Sequence, residues 1–127
     1  MITTTWQAGA TPAHSSNGSA TWAADLTPQM GGSGSLPDPH DLLDSALASC
    51  TALTLQIYVK RKNIPLTGLV VEVERTETRE SYFLRRTIHL QGELDQAQIA
   101  DLLRVANICP IHKVLSGKIA IETAVVS

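Results

Sequence analysis

A chain of 127 residues with 43% apolar, 17% charged and only 4% aromatic side chains fits a single domain whose core is built from aliphatic residues and alanine. Its net charge of −2 offers no electrostatic attraction to nucleic acid or to an anionic membrane, which sets both aside as partners. Residues 1–7 carry Thr3, Thr4 and Thr5 but no basic stretch, so no secretory signal is expected, and no apolar run approaches the ~18 residues of a membrane span. The expected location is the cytoplasm. There, two cysteines are free, redox-active or metal-bound rather than a permanent bridge.

Residues 2–7 and 19–26 read as two strands of a hairpin, with residues 12–18 as its loop. Residues 28–37 include Gly31, Gly32 and Gly34, and predict a mobile surface loop. The pattern then changes. Asp38 and Pro39 supply an N-cap and a first-turn proline, and Asp41 adds negative charge at the positive end of a helix. Leu43, Ala46, Leu47, Cys50, Leu53, Thr54 and Ile57 form a stripe at helical spacing, which predicts one buried face. Lys60, Arg61 and Lys62, followed by Asn63 and Pro65, end this helix after about two dozen residues.

Alternation over residues 69–74 and 82–90 predicts two antiparallel strands with one solvated face. A second amphipathic helix is expected over residues 96–107, a short third one from Cys109 and Pro110 to Gly117, and a last strand over residues 118–126. The order ββ-α-ββ-αα-β is that of an α+β fold, an antiparallel sheet packed around a long central helix. An aliphatic core of this size leaves apolar surface for a partner to cover.

Cys50 lies on the expected buried stripe between small side chains, which suits an inert packed thiol as well as a reactive one. Cys109 stands at a helix start, where backbone donors and the positive dipole end lower a thiol pKa. If the two helices pack side by side, one thiol can be oxidised and the other can capture it. Zinc is the competing chemistry, with Cys109 and His112 spaced as Cys-x-x-His and completed by Cys50 and His40, although His40 is about 15 Å of helix from Cys50. No Arg or Lys precedes Lys60, so a cation for the thiolate must come from His40, His112, Lys113 or the group Arg79, Arg85 and Arg86. These three arginines otherwise read as solvated strand residues. His14 and His89 fit solvated loop and strand positions.

The segments DPHDLL from Asp38, ALASCTALT from Ala46, RKNIPL from Arg61 and CPIH from Cys109 resemble the OsmC/Ohr family, in the right order and spacing over residues 31–125. The resemblance implies an intertwined homodimer with its long helices at the centre and two active sites at the subunit interface. It also implies a peroxidase for organic hydroperoxides and hydrogen peroxide, with Cys50 as the peroxidatic thiol and Cys109 as the resolving one. Its reductant would be a dithiol such as a lipoylated protein, with no bound metal or flavin. The family's better-studied branch holds the thiolate with an arginine from the N-terminal strands and a glutamate after the helix-start proline. This chain lacks that arginine and has His40 at the glutamate position. Asp41 is the nearest carboxylate, about 13 Å along a straight helix from Cys50. The alternative is a redox-inactive dimer of the same fold that holds a small hydrophobic ligand.

Overall fold

Antiparallel strands and one long helix organise all 127 residues of the protein, described here by a computed structural model. The elements are β1 (Thr3–Thr5), β2 (Ala13–Ser16), β3 (Thr21–Ala24), a 3₁₀ turn at Pro28–Met30, α1 (Pro39–Lys62), β4 (Gly68–Glu77), β5 (Tyr82–Gln91), α2 (Gln96–Ala106) and α3 (Pro110–Ser116). The chain divides into two units, residues 1–45 and 46–127, and α1 runs from the first into the second. The observed order βββ-α-ββ-αα differs from the expected one at both ends.

In the first unit β1, β2 and β3 form an antiparallel sheet in chain order, with Thr5 opposite His14 and Ser15 opposite Trp22. The segment expected as a hairpin loop therefore holds a strand. Ala13, His14, Ser15 and Ser16 lack the branched and aromatic residues that mark strands, and part of their pairing is polar, through the Thr4 and Ser15 hydroxyls at 2.8 Å.

The segment 28–37 is likewise more ordered than its glycines suggest, because it is tied to a buried carboxylate. Asp25 accepts hydrogen bonds from the Leu26 amide at 2.8 Å and the Ser33 amide at 3.2 Å, while its own amide donates to the Pro37 carbonyl at 3.0 Å. The Thr11 hydroxyl and the Ser33 amide hold its pKa below the usual carboxylate value. Gly32 is needed for proximity, since a Cβ there would lie 1.7 Å from the Leu26 carbonyl oxygen.

Both ends of α1 follow the sequence. The Asp41 amide donates to Asp38 Oδ1 at 2.8 Å and the Asp38 amide donates to Asp41 Oδ2 at 3.1 Å, a reciprocal cap. At the other end Asn63 takes a left-handed φ of 54° and the Ile64 amide reaches back to the Val59 carbonyl at 3.0 Å. By length and composition alone α1 is apolar enough to cross a membrane. A search for an unbroken apolar run misses this, because Ser49, Thr51 and Thr54 interrupt the run while costing little hydropathy.

The second unit places the β4–β5 hairpin, the C-terminal part of α1 and α2 around one core. Leu55, Leu102, Val105 and Ala106 are buried together, and Leu69, Ile88 and Leu90 pack on them from the hairpin. Register puts Val71 opposite Ile88 and Val73 opposite Arg86. Leu84, Arg86, Ile88 and Leu90 are half-buried, whereas Phe83, Arg85, Thr87 and His89 are exposed. Asp95 and Gln98 form a capping box at the start of α2. The Tyr58 hydroxyl donates to Asp101, which also accepts from Arg104 at 2.7 Å, and this joins α1 to α2. These bonds hold the Asp101 pKa down, with Tyr58 the larger cause, and the same contact raises that of Tyr58.

Two expectations fail in this unit. The buried face of α1 carries Leu47, Thr51 and Leu55, while Leu53 and Ile57 are 58% and 60% exposed and Leu43 is also exposed. The helix is apolar on two faces, and periodicity alone does not say which of them meets the core. Residues 118–126 form no strand, and Ile119, Ile121, Val125 and Val126 are exposed. Alternation supplies a strand's faces but not the neighbour with which its backbone must pair.

Replacing Leu55, which is fully buried, with alanine should cost about 2–5 kcal/mol of unfolding free energy in urea titrations. Removing the α2 cap with Asp95→Ala should cost about 1 kcal/mol.

Candidate active site

Burial of Thr51 on the inner face of α1 fixes where the adjacent Cys50 points, which is to the half-buried edge of that face. Cys109 arrives from the other side. The turn after α2 is short, with the Ile108 amide on the Val105 carbonyl at 3.1 Å, and it delivers Cys109 as the N-cap of α3. Pro110 occupies the first helical position, where its missing N–H costs nothing. The Cys109 side chain is completely buried, and its Sγ accepts the His112 amide at 3.3 Å.

Two more groups of α1 reach that sulfur. The Thr51 hydroxyl is 3.9 Å from Cys109 Sγ, and the Cys50 thiol lies near enough to help lower the Cys109 pKa. The two sulfurs are thus brought together from helices 59 positions apart in the chain. Beside them stands Arg86 of β5, whose Nη1 donates to Thr51 Oγ1 at 3.0 Å and whose Nη2 donates to Asn107 Oδ1 at 3.0 Å. Nη2 also lies 3.0 Å from His112 Nδ1. An arginine can only donate, so Nδ1 is the acceptor and the ring proton of a neutral His112 sits on Nε2.

Electrostatics at Cys109 are a contest. Burial pushes the thiol pKa up and is the largest single influence, but the His112 amide, the Thr51 hydroxyl, the Cys50 thiol and the Arg86 charge together bring it below the ordinary thiol value of 9.0. A groove of about 430 Å³ lies alongside, with walls from Leu47, Leu55, Leu84, Ile88 and Leu103 and with Arg86, Asn107 and His112 as polar members, and neither sulfur lines it. The arrangement offers a thiol of lowered pKa, a neighbouring thiol and an apolar groove beside them.

Of the residues singled out from the sequence, Cys50, Cys109 and His112 meet here. His40 and Asp41 belong to the first turn of α1 in the other unit, where Asp41 caps the helix. No three His, Cys, Asp or Glu side chains gather in a metal-binding arrangement. Arg85 is exposed and lies over the Phe83 ring at 5.9 Å, and exposed His89 pairs with Glu72, both as expected of solvated strand residues. Arg86 departs from that expectation. It shares its parity with Leu84, Ile88 and Leu90, and this phase was the available signal. Thr51 and Asn107 carried none, since a threonine in an apolar helix and an asparagine at a helix end are ordinary.

A thiol pKa lowered by folding contributes stability that is fully present above the unfolded value and is lost as the pH falls through the folded value. The gap in melting temperature between the wild type and Cys109→Ser should therefore widen as the pH is raised toward 9.0. A gap independent of pH would contradict the charge balance described here.

The sequence matches the family model for OsmC-like proteins over residues 32–124. No curated protein matches the chain. Among solved structures, a protein of Psychrobacter arcticus 273-4 from the osmotic stress induced and detoxification response is 23% identical, with a TM-score of 0.77 over 89% of this chain and 85% of its own. An organic hydroperoxide resistance protein OsmC from Legionella pneumophila is 20% identical, with a TM-score of 0.65 over 92% and 88%. The organic hydroperoxide resistance protein OhrB of Bacillus subtilis is also 20% identical, with a TM-score of 0.59 over 92% and 90%. At these identities the structural likeness speaks for the fold alone. The family match takes in the helix bearing Cys50, the hairpin bearing Arg86 and the helix start at Cys109, and the chain belongs to the OsmC-like family.

Proposed function

We propose that the protein is a thiol-dependent peroxidase that reduces organic hydroperoxides, and hydrogen peroxide, through Cys50 and Cys109. The observation that carries this reading is the proximity of the Cys50 thiol to Cys109, with Arg86 beside them. Organic hydroperoxide resistance proteins of the same fold support the substrate class.

In the first step the Cys50 thiolate attacks the terminal oxygen of the peroxide, the O–O bond breaks, and the alkoxide leaves with a proton as the alcohol, or as water from hydrogen peroxide. Cys50 becomes a sulfenic acid. The Cys109 thiolate then attacks that sulfur, a disulfide forms, and hydroxide leaves to be protonated to water. A small dithiol or a lipoylated protein returns both sulfurs to the thiol state by exchange. His112 serves through its amide, which holds Cys109. Asp41 and His40 serve as the start of the helix that carries Cys50.

Two copies would pair through the second apolar face of α1, where Leu53 and Ile57 are exposed, with the apolar tail of residues 119–126 as further contact surface. A redox-inactive binder is the second reading. It is favoured by the aliphatic lining of the groove and the complete burial of Cys109.

Purified Cys50→Ser should consume cumene hydroperoxide no faster than buffer, while Cys109→Ser should stall after one equivalent. Equal rates for wild type and Cys50→Ser remove the enzymatic reading, and thiols left intact by excess peroxide favour the binder. Sedimentation should show a dimer for the wild type that Ile57→Asp converts to monomer.

A further inference from the structure

The thiol reaction needs a cation, and this chain has no Arg or Lys before Lys60. The inner face of β5 holds one at Arg86, among aliphatic neighbours. Its guanidinium is bonded to Thr51 of α1, to Asn107 after α2 and to His112 of α3, so its orientation is fixed from three sides. Thr51 in turn has three possible partners. Its oxygen accepts from Arg86, and its single hydrogen can go to the Leu47 carbonyl at 2.7 Å or toward Cys109 Sγ at 3.9 Å.

We propose that Arg86 is a positioning residue for Cys109 and acts through Thr51: by donating to the hydroxyl oxygen it favours Thr51 as a donor in its turn, and the hydroxyl proton turns from Leu47 to the sulfur when Cys109 ionises. The proposal rests on the peroxidase reading and gives the resolving thiol its charge before Cys50 is oxidised. Arg86 thereby acts from β5 on the resolving thiol, whereas the arginine that the family resemblance leads one to expect in the N-terminal strands holds the peroxidatic one. The titratable side chains around Cys109 are Cys50 on α1, Arg86 on β5 and His112 on α3, the last meeting the sulfur through its amide and Arg86 through its ring.

The test isolates Cys109 in a Cys50→Ser background and follows thiolate ultraviolet absorbance against pH. Thr51→Val and Arg86→Met should each raise the midpoint, the two together should raise it little more than either alone, and Thr51→Ser should keep it low. Thr51→Val is nearly isosteric, so it carries the test should Arg86→Met fail to fold. Midpoints unmoved by Thr51→Val, or a Thr51→Ser protein that titrates like Thr51→Val, overturn the proposal.

With both cysteines present, a stoichiometric pulse of cumene hydroperoxide should give a disulfide more slowly at neutral pH, roughly threefold for each unit by which the midpoint rises, because the roughly tenfold loss of thiolate is partly offset by its greater nucleophilicity. Because the titration uses no peroxide, the two readings fail separately. A midpoint that moves in a protein that consumes no peroxide removes the peroxidase and keeps the relay, whereas an active enzyme with an unmoved midpoint removes the relay.

Discussion

One guanidinium on the inner face of a β-hairpin makes the site possible. An arginine among Leu84, Ile88 and Leu90 is costly to place unless its donors find acceptors, and Arg86 finds them on α1, just after α2 and on α3. The consequence runs in both directions. The hairpin is held against α1, α2 and α3 by bonds that demand particular positions for Thr51, Asn107 and His112. Those same positions set two sulfur atoms side by side. Hydrophobic burial around Leu55 and Leu102 supplies the cohesion of the unit, and the polar contacts supply its alignment.

The balance at Cys109 illustrates how such an arrangement tunes reactivity. A fully buried thiol in purely apolar surroundings keeps its proton, and burial is indeed the strongest single influence on this one. It is overcome only by several modest donors acting together, none sufficient alone. Cys50 occupies a different situation, at the half-buried rim. The contrast between a half-buried sulfur and a fully sheltered one follows from where α1 and α3 meet.

Much of this was legible in the residues. The limits of α1 follow from Asp38, Pro39 and Asn63, the hairpin from strict alternation, and the α3 start from Cys109 and Pro110, because each is a local signal read within one element. Local signals fail where the answer depends on a neighbour. Leu53 and Leu55 are equally apolar, and only the packing of the hairpin decides which one is buried. The strand at Ala13–Ser16 is made by its partners on both sides. Arg86 looks like any other strand arginine until its parity is counted against the aliphatic residues of β5. The order of the segment 28–37 depends on Asp25, a residue outside it.

A last consequence concerns the tip of the hairpin. Arg85 and Arg86 are adjacent, so one faces solvent and the other the sulfurs solely because of where the chain reverses, at a turn fastened by the Thr78 amide on the Ser81 carbonyl at 2.9 Å and by the hydroxyls of the same two residues. Inserting or deleting one residue there would slide β5 by a single step and exchange the two arginines, so that every ring and methyl on that strand changed sides with them. The chemistry of the cysteines is thus keyed to the length of a surface loop that touches neither of them.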